Sequence, residues 1–298
     1  MAMKIKSFLI AVMWLMSISL VLAQGDVTIN LAADKTDFLL GEPVIVYATI
    51  TNNGDEPIKV GPNVSPEEDF CYYMITGPDG KTRTFSPVYV GDRAEWTILN
   101  RGESVGGGAR IFYGGEGYYF AQPGDYGVVL EYEKYKSDTL NLRVLPARNS
   151  GEREQAALIL DHPEVGLFLM LEGSDELEDA RNQMDTLVRK YPDAIVTSHL
   201  LAAEASNLAR PARNFVTKKP RKADFKRSIE ILNRLKDKDL SFYWQYKVVG
   251  TLSRCYVETG KTDSAKVVLE NFKRKLESNN KLAPYLMKSV DQRIRDTR

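Results

Sequence analysis

The sequence predicts a chain of mixed class, an antiparallel β-sandwich over residues 24–147 followed by stacked α-helical hairpins over residues 148–298. Between Val27 and Val144 the apolar residues recur with period two, in short runs separated by turn residues. After Pro146 the period changes to 3.6, and one spacing of small and large residues repeats. The chain has 298 residues, 43% hydrophobic and 27% charged, which suffices to bury a core and suggests about two domains.

Residues 1–23 read as an address. Lys4 and Lys6 precede an apolar run from Phe8 to Leu22 that only Ser17 and Ser19 interrupt. Val21-Leu22-Ala23 then offers the modest residues a signal peptidase reads, with Gln24 as the mature N-terminus. The competing reading is an uncleaved anchor, because the run approaches the roughly 17 residues a bilayer requires. No Cys follows the cleavage point, which argues against a lipid anchor. The expectation is an exported protein, periplasmic or extracellular, that touches a membrane only if this segment is retained.

Strands are expected next at Val27–Leu31 and Val44–Ile50, the latter ending in Asn52-Asn53-Gly54-Asp55. Asn-Gly favours a turn because both residues tolerate positive φ. Further strands fall at Cys71–Ile75, Thr82–Phe85, Ala94–Leu99, Gly108–Tyr113, Tyr126–Tyr132 and Thr139–Val144. Pro78-Asp79-Gly80 and Gln122-Pro123-Gly124-Asp125 supply reversals. Many short strands without helical periodicity indicate a sandwich. The Gly-rich stretch from Gly102 to Gly117 reads as a flexible hairpin or bulge. It is no phosphate cradle, lacking a Gly-Lys-Ser/Thr ending and a following helix.

Four segments carry a resemblance: Leu40-Gly41-Glu42-Pro43-Val44, Thr51 to Asp55, Phe120-Ala121-Gln122-Pro123-Gly124-Asp125-Tyr126, and Leu140 to Val144. Together they resemble bacterial immunoglobulin-like modules, and the pattern is also similar to the sandwich of the intracellular proteinase inhibitor family of Bacillus. The resemblance implies a fold, with Tyr126 packed beside the Pro-Gly-Asp bend, and no particular function.

The helical half opens with Ser150–Asp161 as a joining helix. Leu167, Phe168 and Leu171, then Ala180, Met184, Leu187 and Pro192, form one hairpin unit. Leu201, Ala202 and Ala205, then Ser228, Leu232 and Leu235, form a second, interrupted by an insert at about residues 210–222. Leu252, Ser253, Tyr256, Gly260, Ala265, Leu269 and Phe272 form a third. Ala180, Ser228 and Ala265 let paired helices approach closely, and Gly260 permits a tight turn. Pro284 near a helix start, with Leu286, Val290 and Ile294 on one face, marks a capping helix. This spacing resembles the tetratricopeptide family over roughly residues 161–278. The resemblance implies a superhelix whose groove receives a peptide or a partner's helix.

Charge and chemistry narrow the function class. Lys and Arg total 40, matching 40 Asp and Glu, so no global charge advertises nucleic acid. The halves differ: residues 24–147 hold 18 acidic and 10 basic residues, and residues 148–298 hold 22 acidic and 28 basic. Two His and two Cys exclude a structural zinc site built on several Cys ligands. His162 reads as a capping or solvent-facing residue and His199 as part of a repeat helix, with no motif to make either a catalytic base. Cys71 and Cys255 either bridge the two domains or are separately buried thiols. Glu67-Glu68-Asp69 reads as a solvated acidic turn rather than a calcium loop.

The sharpest charge feature is the insert from Arg210 to Lys222, with Lys218-Lys219-Pro220-Arg221-Lys222. It docks an acidic partner, an anionic lipid surface or the acidic sandwich, or is simply a solvated loop. The expected function is therefore a non-catalytic binding or scaffold protein of the cell envelope, with no cofactor and no metal. Its partner is expected to be another envelope or secreted protein or peptide, and not nucleic acid. Ser198, Glu204 and Lys247 are expected to be exposed on the groove, with Lys218, Lys219, Arg221 and Lys222 as a second contact. Two alternatives remain: a proteinase inhibitor presenting the Ser65–Phe70 loop, and an envelope hydrolase with an interdomain cleft.

Overall fold

A computed structural model describes residues 26–68, 71–89, 96–213, 218–278 and 283–296. The expected signal segment of residues 1–23, Ala94 and Glu95 of the expected Ala94–Leu99 strand, and Asp69 and Phe70 of the expected acidic turn and inhibitor-like loop lie outside the described residues. The chain is mixed α and β, with its strands before residue 146, apart from one two-residue pair, and its principal helices after residue 149.

The strand half runs β1 (Val27–Ala32), β2 (Asp37–Leu39), β3 (Ile45–Asn52), β4 (Ile58–Val60), β5 (Cys71–Thr76), β6 (Thr82–Thr84) and β7 (Thr97–Leu99). It continues with β8 (Ser104–Arg110), β9 (Tyr113–Gly114), β10 (Gly117–Tyr118), β11 (Gly124–Tyr132), β12 (Tyr135–Lys136) and β13 (Leu140–Leu145). One sheet has the order β1-β3-β8, with Tyr47 opposite Gly108. The larger sheet has the order β2-β13-β11-β5-β6, antiparallel except for the parallel β2–β13 pair, and β12 joins β11. β4 pairs with β7, and β9 with β10. The alternation in β11 follows the sequence pattern, burying Tyr126, Val128, Leu130 and Tyr132. At its start the Tyr126 hydroxyl donates to the Gln122 carbonyl at 2.9 Å and accepts the Gln122 N–H at 3.2 Å, which pins the Pro123-Gly124 bend.

β3 breaks the alternation. Ile45, Val46, Tyr47 and Ala48 are all buried because both faces of the strand are covered. Its neighbour β8 is a regular strand, so the first part of the Gly-rich stretch is neither hairpin nor bulge, while the hairpin falls at its end, where β9 pairs with β10. The glycines serve close approach instead. A Cβ on Gly107 would stand 1.8 Å from the Asn63 carbonyl oxygen, and one on Gly108 would stand 3.2 Å from the Tyr243 ring.

The helical half comprises α1 (Ser150–Leu160), α2 (Pro163–Met170), α3 (Glu178–Lys190) and α4 (Ile195–Leu208), then the two-residue strands β14 (Ala212–Arg213) and β15 (Pro220–Arg221). α5 (Phe225–Leu235), α6 (Phe242–Glu258), α7 (Thr262–Glu277) and α8 (Ala283–Asp296) follow. Consecutive helices pack as hairpins, and α2, α4 and α6 stack on one another. Asn149 caps α1 by accepting the Glu152 N–H at 2.9 Å. Ala180, Ser228 and Ala265 are fully buried at the close helix approaches, and Gly260 turns the chain at φ +75°. Among the described residues, no helix is long and apolar enough to cross a membrane.

The two halves share one hydrophobic core that runs from Val27 through Tyr47 and Phe168 to Leu252. Helix α2 packs on β9 and β10, and α8 packs on β8. The Tyr113 ring lies on Gly166 of α2, and the Tyr118 hydroxyl donates to the Ile159 carbonyl at 2.9 Å. Cys71 and Cys255 are both buried, one in each half, and no disulfide joins them.

Candidate functional site

The seam between the halves is built around Asp34, Tyr47 and the start of α6. A helix leaves its first four N–H groups without intrahelical partners. In α6 the Asp34 carboxylate accepts the Phe242 N–H at 3.2 Å, and the Tyr47 hydroxyl accepts the Tyr243 N–H at 2.8 Å. The Ser241 side chain takes the Trp244 N–H, and its carbonyl accepts that of Gln245 as the first intrahelical bond. Tyr47 in turn donates to Asp34 at 3.1 Å. Burial pushes the Asp34 carboxyl up to about 6, against the hydrogen bonds from Tyr47 and Phe242.

A second buried charge lies beside it. Arg110 of β8 donates to the Met170 carbonyl at 2.7 Å, with Glu172 at 3.6 Å, Glu67 at 3.8 Å and the Tyr243 ring centroid at 5.7 Å. Glu172 also pairs with Lys247 at 2.5 Å. Burial acts to raise the Glu172 carboxyl, but Lys247 and Arg110 hold it below the ordinary range.

Glu172 and Lys247 form one wall of a cavity of about 150 Å³. Ser206 of α4, Thr251 and Arg254 of α6, and Arg293 of α8 complete it with Arg210 and Gly250. Four cations thus face one carboxylate. Arg210 is tethered by three carbonyls at the end of α2, those of Leu171, Glu172 and Gly173, at 2.9, 3.3 and 3.0 Å. Arg254 donates to the Ala209 carbonyl at 3.2 Å, and Arg293 to the Tyr246 hydroxyl at 2.9 Å.

The residues singled out from the sequence divide into three groups. Ser198 and Glu204 are 2% and 1% exposed, which corrects the expectation that they line an open groove. Helix α4 is covered by α2, α3, α5 and α6, and Leu201 is its one half-exposed residue between Val196 and Leu208. Ser198 donates back to the Ala194 carbonyl at 3.3 Å, and Glu204 sits 3.5 Å from Arg181 with its carboxyl raised by burial. Arg221 is a structural tie, donating to Asp175 at 2.5 Å and to the Asn207 carbonyl at 3.0 Å. Lys218, Lys219 and Lys222 are exposed on the insert, and Lys247 lines the cavity. Arg210, which begins the insert, lines both the cavity and an adjoining depression that it shares with Arg213, Asp175 and Glu176. Sequence reasoning missed Glu172, Arg254 and Arg293 because they come from separate segments, and only the excess of basic residues after Arg148 hinted at them.

Both histidines have structural surroundings. The His162 ring meets Asp179 at 2.8 Å ahead of α2. His199 is fully buried against Trp244, with ring centroids 5.7 Å apart, and burial pushes its imidazole down to about 3. Among the described residues, no three of His, Cys, Asp and Glu gather as metal ligands would.

No family model and no curated protein matches the chain. Solved structures give partial likenesses. A β-glucosidase from Listeria innocua is 16% identical at a TM-score of 0.28, over 41% of this chain and 16% of its own. An alkylpurine DNA glycosylase of Pseudomonas fluorescens is 15% identical at 0.29, over 42% and 32%. The sporulation control protein Spo0M of Bacillus subtilis is 11% identical at 0.29, over 46% and 56%. The chain thus spans a sixth to about half of the proteins it matches, and likeness of that extent defines neither a fold nor an activity for it.

Proposed function

We propose that this chain is an exported, non-catalytic scaffold protein of the cell envelope that holds an acidic protein partner. In this reading the strand half is an immunoglobulin-like sandwich over residues 24–147, and residues 148–298 form a short tetratricopeptide-like superhelix. The hydroxyl of Tyr126 bonded to the Gln122 backbone supports the first assignment. The hairpins with Ala180, Ser228 and Ala265 at their close approaches support the second.

One observation carries the partner-binding reading. Lys218, Lys219 and Lys222 are exposed on the insert that Arg210 begins, and Arg210 lines the cavity with Lys247, Arg254 and Arg293. Exposed cations attract an acidic partner, and the attraction weakens with salt. Because the two halves share a core, neither half alone is a sound bait.

The test is crosslinking capture from envelope and secreted extract with the whole chain and with a Lys218→Glu, Lys219→Glu, Lys222→Glu variant. Arg221 is left intact because it ties the insert to Asp175. A single partner retained at low salt, released at high salt and lost in the variant is the expected result. Equal capture by both proteins would remove the basic surface from the reading.

A further inference from the structure

A second cavity, of about 240 Å³, lies where the end of α5 meets the first turns of α6 and one face of α7. Helical spacing builds its floor. Asn271, Phe272 and Lys275 stand three, four and seven positions after Val268 on α7, and Val249 stands four after Gln245 on α6. Each set therefore shares one helix face. Val249 and Phe272 are buried, and Val268 packs against them in a small apolar cluster.

The polar groups at this cavity are not all spent on the fold. Gln245 is 5% exposed, and its amide nitrogen donates to the Leu240 carbonyl. Among the described residues its amide oxygen accepts no hydrogen bond, yet it is not sealed inside as both Glu204 oxygens are. The cavity that Gln245 lines is where a donor reaches that oxygen. Asn271 is the counterpart: its oxygen accepts from the Arg274 guanidinium, which leaves its amide N–H groups to donate. Lys236 pairs with Asp237 at 3.2 Å. Lys275 is exposed, 5.9 Å from the Phe242 ring centroid, with no carboxylate at ion-pair distance among the described residues.

One acceptor and one donor beside an apolar floor match the N–H and C=O of a peptide backbone whose side chain enters the cavity. The volume lies below the roughly 300 Å³ at which sites for drug-sized molecules begin. It exceeds the roughly 150 Å³ of an apolar cavity that takes up benzene, so one large aliphatic side chain fits. We propose that this cavity binds an extended peptide segment in which an apolar residue has an acidic neighbour. The apolar side chain rests on Val249, Val268 and Phe272, its backbone meets Gln245 and Asn271, and the acidic side chain meets Lys275. This deepens the scaffold reading above, on which it rests for the source of the peptide; the cavity itself is independent of the basic insert.

The test is an NMR titration of the isotope-labelled whole chain with the peptide Gly-Glu-Leu-Glu-Gly, blocked at both ends, a method that registers weak affinity. Saturable shifts of the Gln245 and Asn271 side-chain amides and of the Val249 and Val268 methyls are the expected result. Serine in place of the peptide's Leu weakens binding by about tenfold, and Gln in place of both Glu by about threefold. Val268→Phe fills the cavity and abolishes binding without lowering Tm. Should that variant melt lower, Asn271→Ala at an exposed position serves instead and weakens binding by about threefold. Lys275→Gln binds the Glu and Gln peptides equally. No saturable shift in the parent overturns the proposal, as does parental affinity in the cavity variants or equal binding of the Leu and Ser peptides. A preference for Glu that survives in Lys275→Gln overturns the acidic assignment. A partner captured from extract equally by the parent and Val268→Phe overturns this cavity and leaves the scaffold reading standing. Peptide binding that follows the cavity variants, with no partner captured, leaves the cavity standing and the scaffold reading fallen.

Discussion

The hydroxyl of Tyr47, on β3, accepts the backbone N–H of Tyr243 in the first turn of α6 at 2.8 Å. Asp34 accepts the neighbouring Phe242 N–H at 3.2 Å, and the Ser241 hydroxyl accepts that of Trp244. A helix 196 residues downstream is therefore capped in part by a strand. The four orphan N–H groups at a helix start must be satisfied by something when they are buried, and here half of them depend on the other half of the chain.

Removing that hydroxyl leaves a helix N–H unpaired in a covered site, which costs about 1–3 kcal/mol. Tyr47→Phe is expected to lower the urea midpoint by a corresponding amount while the chain still unfolds in one transition. Two resolved transitions in the parent, with the variant shifting only one, would show that the halves fold independently.

Acidity acts on this seam in two opposing directions. The Asp34 carboxyl is raised from 3.8 to about 6 in the folded chain, so its contribution is greatest below pH 4 and is lost as pH rises through 6. Full ionisation removes about 3 kcal/mol at 1.36 kcal/mol per unit. His199 does the reverse. Its imidazole is lowered from 6.5 to about 3, so stability present above pH 6.5 is lost as pH falls, by about 2 kcal/mol at pH 5. Urea titrations from pH 4 to pH 8 separate the two. Relative to the parent, Asp34→Asn gains stability as pH rises, and His199→Leu gains it as pH falls. A parent-to-variant difference that is flat with pH would remove the residue concerned from this account.

Gly166 gives a test in which background decides the sign. Alanine normally favours a helix interior over glycine by about 1 kcal/mol. In α2, however, a Cβ at position 166 would lie 2.1 Å from the Tyr113 ring of β9, so Gly166→Ala is expected to destabilise the parent. In a Tyr113→Ala background the same change is expected to stabilise. Thermal melts of the four proteins give the coupling directly, and additivity would mean that the ring does not rest on this glycine.

Much of the architecture was legible as periodicity. The period of two over β1, β3, β5, β11 and β13 and the period of 3.6 over α3, α5 and α7 located those elements, because all but β3, which is covered on both faces, bury one face and expose the other. The buried positions Ala180, Met184, Leu187, Leu232, Leu235, Ala265, Leu269 and Phe272 follow the same reasoning. The short strands β2, β4, β9, β10 and β12 were not visible, since two or three residues carry no period.

Ser198 and Glu204 show where such reading stops. A repeat predicts which residues meet within a hairpin, and it says nothing of what lies against the hairpin's other side. α4 is enclosed by four helices, so residues expected to face solvent are covered. Burial on both faces of β3 likewise covers Ile45 and Tyr47, which an alternation with Val46, Ala48 and Ile50 would place on the open face.

The order of the elements, the change from strands to helices near residue 147, and the basic insert follow from the local sequence, because each depends on residues within a turn or two of one another. The Tyr47–Tyr243 cap, the Tyr113–Gly166 contact and the cavity at Lys247 and Arg293 join residues from about 40 to almost 200 positions apart. Only the packing of one half on the other determines them, since no local period records which surface a side chain will meet across a seam.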